Sequence, residues 1–349
     1  MDFNVHDHAG VWVGIIENPT SAIWTRRYQK PSDFELTFPA TTEMLALLAD
    51  DFYITREDAP DVMIIEHIEI RTDAEEGNYI LVSGRGAESM LDRRVIMEQI
   101  VLTGRVDSAV HRLVRENAIS PSDAARKLPL IMDAPNVTTA TARAQYTGTN
   151  LLEAVEEICK AHGLGFRAVA NPYETVVPRI ELLNGLDRSE GQEVNSPVIF
   201  SAEYENLLSS SYVMDTTNYK NVAIVAGEGE GKARKRATYG SAAGTARREI
   251  FVDARDLSTN EGEISADDYT AQLVARGAEK VAEHSLAESF DGEMGTTNTF
   301  VLDEDYSLGD IVTAENEYLI RKNVRISAIM EVWDAEGYSI IPNFENVEV

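Results

Sequence analysis

The sequence predicts a mainly β protein with α+β parts: two related β-barrel domains, a small α/β domain between them and a helical insertion. Three observations support this fold class. Short β-type runs fill both ends of the chain, a helical period appears in the middle, and one strand–turn–strand pattern occurs near each end. The predicted boundaries are 1–100 for the first barrel, 101–195 for the α/β domain, 196–256 with 292–349 for the second barrel, and 257–291 for the helical insertion.

The first hundred residues alternate short β-type runs with turn residues, which is typical of antiparallel strands. Thr41 or Thr42 can cap a short helix that reaches Leu48. The predicted strands are Val11–Glu17, Ser21–Arg27, Asp33–Phe38, Val62–Arg71 and Asn78–Ser83.

The period of apolar residues becomes helical between Val101 and Asn195. One helical face is formed by Val106, Val110, Leu113 and Val114, at spacings of i, i+4, i+7 and i+8, and this helix ends before Pro121. A second helix begins at Thr149 or Asn150, with Glu153 in the first turn, and ends at His162-Gly163. Strands are then predicted over Phe166–Ala170 and Val176–Leu183.

The β pattern returns from Pro197 and is interrupted by a helix from about Ala266 to His284, which Ser265 can cap. The predicted strands of this part are Val198–Phe200, Ser210–Met214, Val222–Ala226, Arg248–Val252, Thr299–Leu302, Ile311–Ala314, Tyr318–Ile320, Val324–Val332 and Tyr338–Ile341.

A short internal repeat relates the two ends of the chain. The turn Asp73–Gly77 lies between two strands, as does the turn Asp334–Gly337, and Asp51–Thr55 corresponds to Asp310–Thr313. The distance from the first aspartate to the turn glycine is 26 residues in one copy and 27 in the other. Two related barrels explain the match; chance similarity between two hairpins is the alternative.

Composition is ordinary for a globular protein, with 349 residues, 44% hydrophobic and 26% charged. No apolar run approaches the roughly 18 residues of a membrane span, and the first residues do not form a secretory signal, so we expect no membrane anchor. The lone Cys159 excludes an internal disulfide and fits synthesis in a reducing cytoplasm.

Net charge is the outlier, at −28 from 59 acidic and 31 basic residues. A surface of this kind keeps a protein soluble and repels nucleic acid and anionic membranes. The charge therefore has two interpretations: general solubility, or a wall past which nucleic acid slides without binding.

A Gly-rich segment over residues 221–256 resembles a phosphate-binding loop but lacks its essential residues. Ala226 occupies the position of the first glycine, and Ala233 follows the lysine where Ser or Thr is needed for magnesium. Glu228 and Glu230 would also repel a phosphate. We interpret residues 228–248 as a long, exposed, basic arm that docks on an acidic neighbouring subunit; a loop kept soluble by its charge is the alternative.

The remaining candidates for chemistry are isolated residues, and the sequence predicts no catalytic, cofactor-binding or metal-binding residue and no enzymatic activity. His6 and His8 could chelate a metal, but a frayed, solvated terminus is the preferred interpretation. Cys159 lies on the apolar stripe of a helix, which indicates core packing. The acidic turns Asp73–Glu76 and Asp303–Asp305 lack the ligand spacing of a calcium loop and are expected to be solvated.

Two functional alternatives stay open at this point. A hydrolase with a pair of carboxylates needs no sequence motif, and 59 acidic residues bring some pairs together. A carbohydrate-binding module would need exposed aromatic residues. The three tryptophans, Trp12, Trp24 and Trp333, each lie in or beside an apolar run, so burial in the core or in an interface explains them better.

The sequence resembles siphophage and prophage tail proteins of the baseplate-hub family, also called the tail-tip hub or N-terminal tail-associated lysin-like family. Motifs carry this resemblance in order along nearly the whole chain. They are Trp24-Thr25-Arg26-Arg27-Tyr28, Asp33-Phe34-Glu35-Leu36, Val82-Ser83-Gly84-Arg85, Glu88-Ser89-Met90-Leu91-Asp92-Arg93-Arg94, Asn150-Leu151-Leu152, Gly163-Leu164-Gly165-Phe166, Asn206-Leu207-Leu208-Ser209-Ser210, Gly227-Glu228-Gly229-Glu230-Gly231, Phe251-Val252-Asp253-Ala254-Arg255-Asp256 and Tyr306-Ser307-Leu308-Gly309-Asp310.

The resemblance implies a structural role in the virion tail, with assembly in the host bacterial cytoplasm. Two barrels per subunit would alternate around an axis, so that a homotrimer presents a pseudo-sixfold face to the tube ring. Partners would be other tail proteins, such as the tube ring and fibre or receptor-binding proteins, and passing DNA without specific binding. Because the chain stops at Val349, the resemblance implies a bare hub without a fibre or lysin extension.

Overall fold

A computed structural model describes residues 1–73, 77–207, 209–293 and 300–347. Twenty strands and four α-helices form within these ranges. The strands are β1 Asp2–His6, β2 Trp12–Glu17, β3 Ser21–Arg27, β4 Asp33–Pro39, β5 Tyr53–Thr55, β6 Val62–Asp73, β7 Gly77–Gly86, β8 Ile100–Arg105, β9 Thr141–Tyr146, β10 Gly165–Val169, β11 Arg179–Leu183, β12 Ile199–Ser201, β13 Ser209–Asp215, β14 Val222–Ala226, β15 Arg236–Tyr239, β16 Glu249–Asp253, β17 Ala287–Glu293, β18 Ile311–Glu315, β19 Arg321–Asp334 and β20 Gly337–Asn346.

Three of the four α-helices in the described residues begin at caps that the sequence predicts. The four helices are α1 Thr42–Ala46, α2 Val106–Val114, α3 Leu151–Ala161 and α4 Ala266–Ala282. Thr41, Asn150 and Ser265 cap α1, α3 and α4 by accepting backbone N–H groups of the first turn. In the described part of the chain, no helix has both the length and the apolar character needed to cross a membrane.

One sheet of thirteen strands joins the two ends of the chain. Its hydrogen-bonded path runs β13-β17-β20-β19-β3-β4-β7-β6-β5-β1-β2, with β18 beside β19 and β12 parallel to β18. The join is the antiparallel pair β3–β19, which extends from Ala22 opposite Trp333 to Arg27 opposite Ala328. The mainly β prediction is confirmed, but the pairings among the described residues form an open path and not a closed barrel.

The short repeat in the sequence corresponds to a repeated topology. Strands β5, β6 and β7 form an antiparallel meander, and so do β18, β19 and β20. The long hairpin of each copy carries one register shift, between Ile65 and His67 in the first and between Ile326 and Ala328 in the second. Part of the first turn, residues 74–76, lies outside the described residues.

Three smaller sheets complete the chain: β8–β9, β10–β11 and β15–β14–β16. Four clusters of buried apolar residues hold these elements together. One lies in the N-terminal part, one in the helical middle, one beneath the C-terminal strands, and one between α4 and the β14–β16 sheet. The apolar stripe of α4, with Tyr269 and Leu273, therefore packs on β14 and β16.

Two predicted strands are wrong over the described residues. Residues 318–320 form an exposed turn, because the side chain of Asn316 accepts the N–H groups of Tyr318 and Ile320 and so replaces a partner strand. Of the predicted strand Thr299–Leu302, residue 299 lies outside the described residues, and residues 300–302 contain one isolated bridge, from Leu302 to Tyr306. The sequence does not predict the strand pair β8–β9 or the strands β1, β15 and β17.

Candidate functional site

The join between the two ends of the chain is built around a buried arginine. Arg56, just after β5, donates two hydrogen bonds of 3.1 Å to the carboxylate of Glu331 in β19. Both side chains are almost fully buried, and Tyr338 also donates to Glu331, at 2.9 Å. The guanidinium lies over the rings of Trp24 and Trp333, 5.3 and 4.6 Å from the ring centroids. These ion-pair, hydrogen-bond and cation–π contacts thus hold the N-terminal strands of the sheet against its C-terminal strands.

A second buried arginine extends this network. Arg26 of β3 donates to Asp303 at 2.7 Å, and its Nε lies 3.6 Å from Glu331. Nearby Asp61 is buried, and loss of hydration raises its pKa, although Arg26 and Arg167 oppose this effect. The acidic turn that starts at Asp303 is therefore not simply solvated as predicted, since Asp303 neutralises a core arginine.

Tyr28 connects three of the motifs that the sequence singles out. Its buried hydroxyl donates to the carbonyls of Gly163 and Leu183 and accepts the N–H of Gly185, at 3.0 to 3.2 Å. Gly309 packs so closely on the ring that a Cβ would lie 2.1 Å from it. The ends of β3, the α/β middle and the segment before β18 therefore meet on one side chain.

Replacing Tyr28 by Phe is expected to lower the free energy of unfolding by about 1–3 kcal/mol, because three partly buried backbone groups lose their shared partner. Urea unfolding followed by fluorescence measures the change. Tyr173→Phe, at an exposed position, is the matched control and is expected to stay within about 0.5 kcal/mol of the parent. An equal effect of the two variants would contradict the role given to the Tyr28 hydroxyl.

A buried carboxylate joins the N-terminal sheet to the middle of the chain. Glu88 lies in a 3₁₀ turn directly after β7 and accepts the N–H groups of Ser32 at 2.8 Å and Ala168 at 3.1 Å. Burial raises its pKa to about 7, and the charge of Asp61 adds to this effect. Both acids are buried, and the carboxylate oxygens of Glu88 already accept backbone N–H groups. This arrangement indicates a structural role.

The Gly-rich segment is filled by protein, in agreement with the rejection of a phosphate loop. The hydroxyl of Tyr269 in α4 accepts the N–H of Glu228 at 2.8 Å and donates to the carbonyl of Leu257. A Cβ on Gly227 would lie 2.1 Å from that hydroxyl oxygen. The space that a phosphate would need is therefore occupied by a core side chain.

Residues 228–248 are largely exposed, as predicted, but the prediction that they form one long arm is wrong. Residues Arg236–Tyr239 form β15, which pairs antiparallel with β14. Arg234 folds back onto the carbonyl of Gly227 and pairs with Asp253, while Arg247 pairs with Glu249. The arm folds back because β14 has an unpaired edge that β15 satisfies.

Several isolated candidates also have structural roles. His6 is not in a frayed terminus: it is buried in β1, and its Nε2 lies 2.9 Å from the hydroxyl of Thr55. Cys159 is buried, as predicted. Trp24 lies in the core, but Trp12 is 56% exposed. Among the described residues, no group of three or more His, Cys, Asp or Glu side chains is placed to hold a metal ion.

A cleft of about 650 Å³ lies between the end of β3, α3 and α4. Its wall carries both cations and carboxylates, and Lys280 pairs with both Glu157 and Glu283, at 2.6 and 2.7 Å. The charged groups of α3 and α4 that face this cleft thus pair with each other.

Comparison with known proteins places this fold. The family model "Siphovirus ReqiPepy6 Gp37-like protein" matches residues 2–344. Three prophage or bacterial tail proteins of known structure are similar in fold. They are the 43 kDa tail protein of prophage MuSo2 from Shewanella oneidensis (12% identity, 99% of this chain and 98% of that chain, TM-score 0.60), a tail protein from Neisseria meningitidis MC58 (12%, 99% and 96%, 0.55) and prophage tail protein gp18 from Listeria monocytogenes EGD-e (13%, 98% and 94%, 0.53).

No curated protein matches the sequence. Identities of 12 to 13% establish a shared fold and nothing finer. The family match covers far more than half of the chain and agrees with the ordered motifs from Trp24 to Asp310. The chain therefore belongs to the siphovirus ReqiPepy6 Gp37-like family of phage tail proteins.

Proposed function

We propose that the chain is the structural hub of the distal tail tip, which joins the tail tube to the tip. The observation that carries this proposal is the repeated meander, β5–β6–β7 and β18–β19–β20, joined through β3 and β19. Two similar halves in one subunit allow three subunits to offer six similar surfaces, which suits contact with a sixfold ring. The buried Arg56–Glu331 pair supports a fixed angle between the halves.

The proposed domains keep the boundaries 1–100, 101–195 and 196–256 with 292–349, and the two outer domains are proposed to be related β-domains that each contain one copy of the meander. For the insertion, 257–291, the packing supports a wider unit. The stripe of α4 shares its apolar cluster with β14 and β16, so residues 222–282 are proposed to move as one body.

The strong acidity supports the second part of the proposal, a homotrimer that lines the DNA exit path. A net charge of −28 per chain would repel the phosphate backbone, and passing DNA would then not adhere. We assign no catalytic role to the chain. The buried acids Asp61 and Glu88 do not favour a hydrolase, because both are enclosed and Glu88 already accepts two backbone N–H groups.

Removal of the chain from a phage that encodes it is expected to abolish infective particles, because the tube would lack its distal closure. Electron microscopy of lysates checks the tails, and cryo-electron microscopy of the complemented phage checks position and copy number. The expected result is three copies at the distal end. Density for the chain along the tube or at the head, or normal infectivity without it, would overturn the proposal.

A further inference from the structure

We propose that subunits of the hub associate through a rigid acidic–apolar turn on one copy, residues 316–320, which docks on a basic–apolar sheet face of the next copy, formed by β14–β16. This inference rests on the proposed function, since it names the contact by which copies of the chain assemble. The two surfaces are called the turn and the socket below.

The turn exposes apolar side chains from a rigid backbone. Tyr318 and Leu319 are 78% and 77% exposed, the most exposed pair of adjacent large apolar residues in the described part of the chain. The buried Asn316 holds the loop by accepting the N–H groups of Tyr318 and Ile320 at 2.9 and 3.0 Å. Because the loop is held in one shape, binding through it requires little further ordering.

Backbone conformation gives a second indication that the turn has a role beyond folding. Leu319 has φ of +61°, a left-handed conformation that is unfavourable for a residue with a Cβ. Gly or Asn would relieve this strain, yet the chain carries an exposed leucine. Strained backbone of this kind clusters at functional sites such as ligand clamps and switch regions.

The socket is the face of the β15–β14–β16 sheet opposite α4. Ala223 and Val225 of β14 lie on the α4 side, whereas Ile224 and Phe251 lie in register on the other side. Phe251 is 60% exposed. The apolar surface of this small sheet is thus formed by Ile224 of the central strand β14 and Phe251 of the edge strand β16, and the Arg234 guanidinium lies 5.9 Å from the centre of the Phe251 ring.

Charge distinguishes the socket from other exposed apolar surfaces. Residues 228–255 contain seven basic and four acidic residues, a net charge of +3 in a chain of −28. Two of those acids, Glu249 and Asp253, already pair with Arg247, Arg234 and Arg255. The exposed cations Lys232, Lys235 and Arg236 have no ion-pair partner among the described residues.

The acidic side chain of the turn complements this rim. Glu317 is exposed and has no ion-pair partner in the described ranges, whereas Glu315 pairs with Arg321 at 3.1 Å. The alternative apolar patch around Trp12 and Tyr173 includes Glu57 and Glu174 in its wall and would repel Glu317. Complementary charge therefore favours the socket of a second copy.

The test measures self-association of the full chain by native mass spectrometry and analytical ultracentrifugation. Leu319→Asn removes the apolar side chain and relieves the left-handed strain, so the fold is retained while docking is lost. Phe251→Ser makes the corresponding change in the socket. Each is expected to weaken self-association by about 30-fold or more, as for a buried interface anchor. Tyr173→Ser, another exposed aromatic, is the matched control and is expected to leave it unchanged.

A charge exchange tests the pairing itself. Glu317→Lys and Lys235→Glu are each expected to weaken association, and the double variant is expected to recover part of the loss. Higher salt concentration should reduce the effect of each single variant.

If the parent chain forms a ring that all these variants leave intact, the inference is overturned while the hub proposal stands. A parent chain that stays monomeric at its highest soluble concentration overturns self-docking, and the position of the chain in the virion then decides the hub proposal separately. Loss of association in the Phe251 variant but not in the Leu319 variant would show that the socket binds a different surface of the second copy, and would overturn the role given to the turn.

Discussion

Replacing Glu331 by Gln is expected to lower the free energy of unfolding by about 3–5 kcal/mol, because a buried guanidinium then faces an uncharged partner. Arg56 donates both of its terminal nitrogens to this carboxylate, and Arg26 approaches the same group from β3. Removing this charge leaves the two buried guanidinium groups with only the half-exposed carboxylates of Asp58 and Asp303 as counter-ions. Equilibrium denaturation with urea measures the change.

The matched control for this variant is Asp58→Asn. Asp58 contacts the same arginine, at 2.8 Å, but its side chain is 58% exposed, so water compensates for its loss. The control is expected to lose at most about 1 kcal/mol. A loss of that small size in the Glu331 variant would mean that the two ends of the sheet are held by apolar packing alone.

Stability is expected to fall as the pH rises from about 4.5 to about 7, in part because of Glu88. Burial raises the pKa of Glu88 from 4.5 to about 7, so the folded protein keeps this proton over a range in which the unfolded chain releases it. Its stabilising contribution is complete below the unfolded pKa and is lost as the pH passes the folded pKa. The difference corresponds to about 3 kcal/mol at 1.4 kcal/mol per pKa unit.

Glu88→Gln is expected to make this decline shallower by about 3 kcal/mol, measured as the free energy of unfolding at a series of pH values. A decline remains in the variant, since burial also raises the pKa of Glu279 to about 7. Glu35→Gln, at an exposed position of β4, serves as the control and should follow the parent curve. An unchanged curve for the Glu88 variant would show that this carboxyl is already ionised in the folded protein at low pH.

Elements set by local chemistry were predictable from the sequence. The caps Thr41, Asn150 and Ser265 each lie directly before a helix, because a side-chain oxygen is needed where the first N–H groups lack partners. The strand Ser21–Arg27 has the predicted bounds for a similar reason, since β-type residues lie between clear turn signals. The repeated hairpin was also predictable, because an acidic turn that ends in glycine joins the two strands of each copy.

Elements set by distant partners were not predictable. Strand β15 starts in a basic, Gly-rich segment with weak strand preference, and the edge of β14 decides its conformation. The turn at residues 316–320 reads as a strand because Tyr, Leu and Ile favour sheets, but the side chain of Asn316 satisfies the backbone instead.

The buried charges at the join were missed, although one signal was present. Glu331 shares the alternation of Ile329 and Trp333 in β19, and this places a carboxylate on the inner face of a strand. A carboxylate at such a position requires a buried cation. The sequence alone does not indicate that Arg56 supplies it, since 275 residues separate the two.

Because β3 pairs with β19, the two strands of this pair are synthesised at widely separated times. Arg27 leaves the ribosome roughly 15 to 60 s before its partner Ala328, at ordinary rates of translation. Throughout that interval, the edge of β3 that pairs with β19 is uncovered, and Arg56 lacks the carboxylate of Glu331. Fragments that end before β19 are therefore expected to aggregate, because they never acquire the strand that covers this edge.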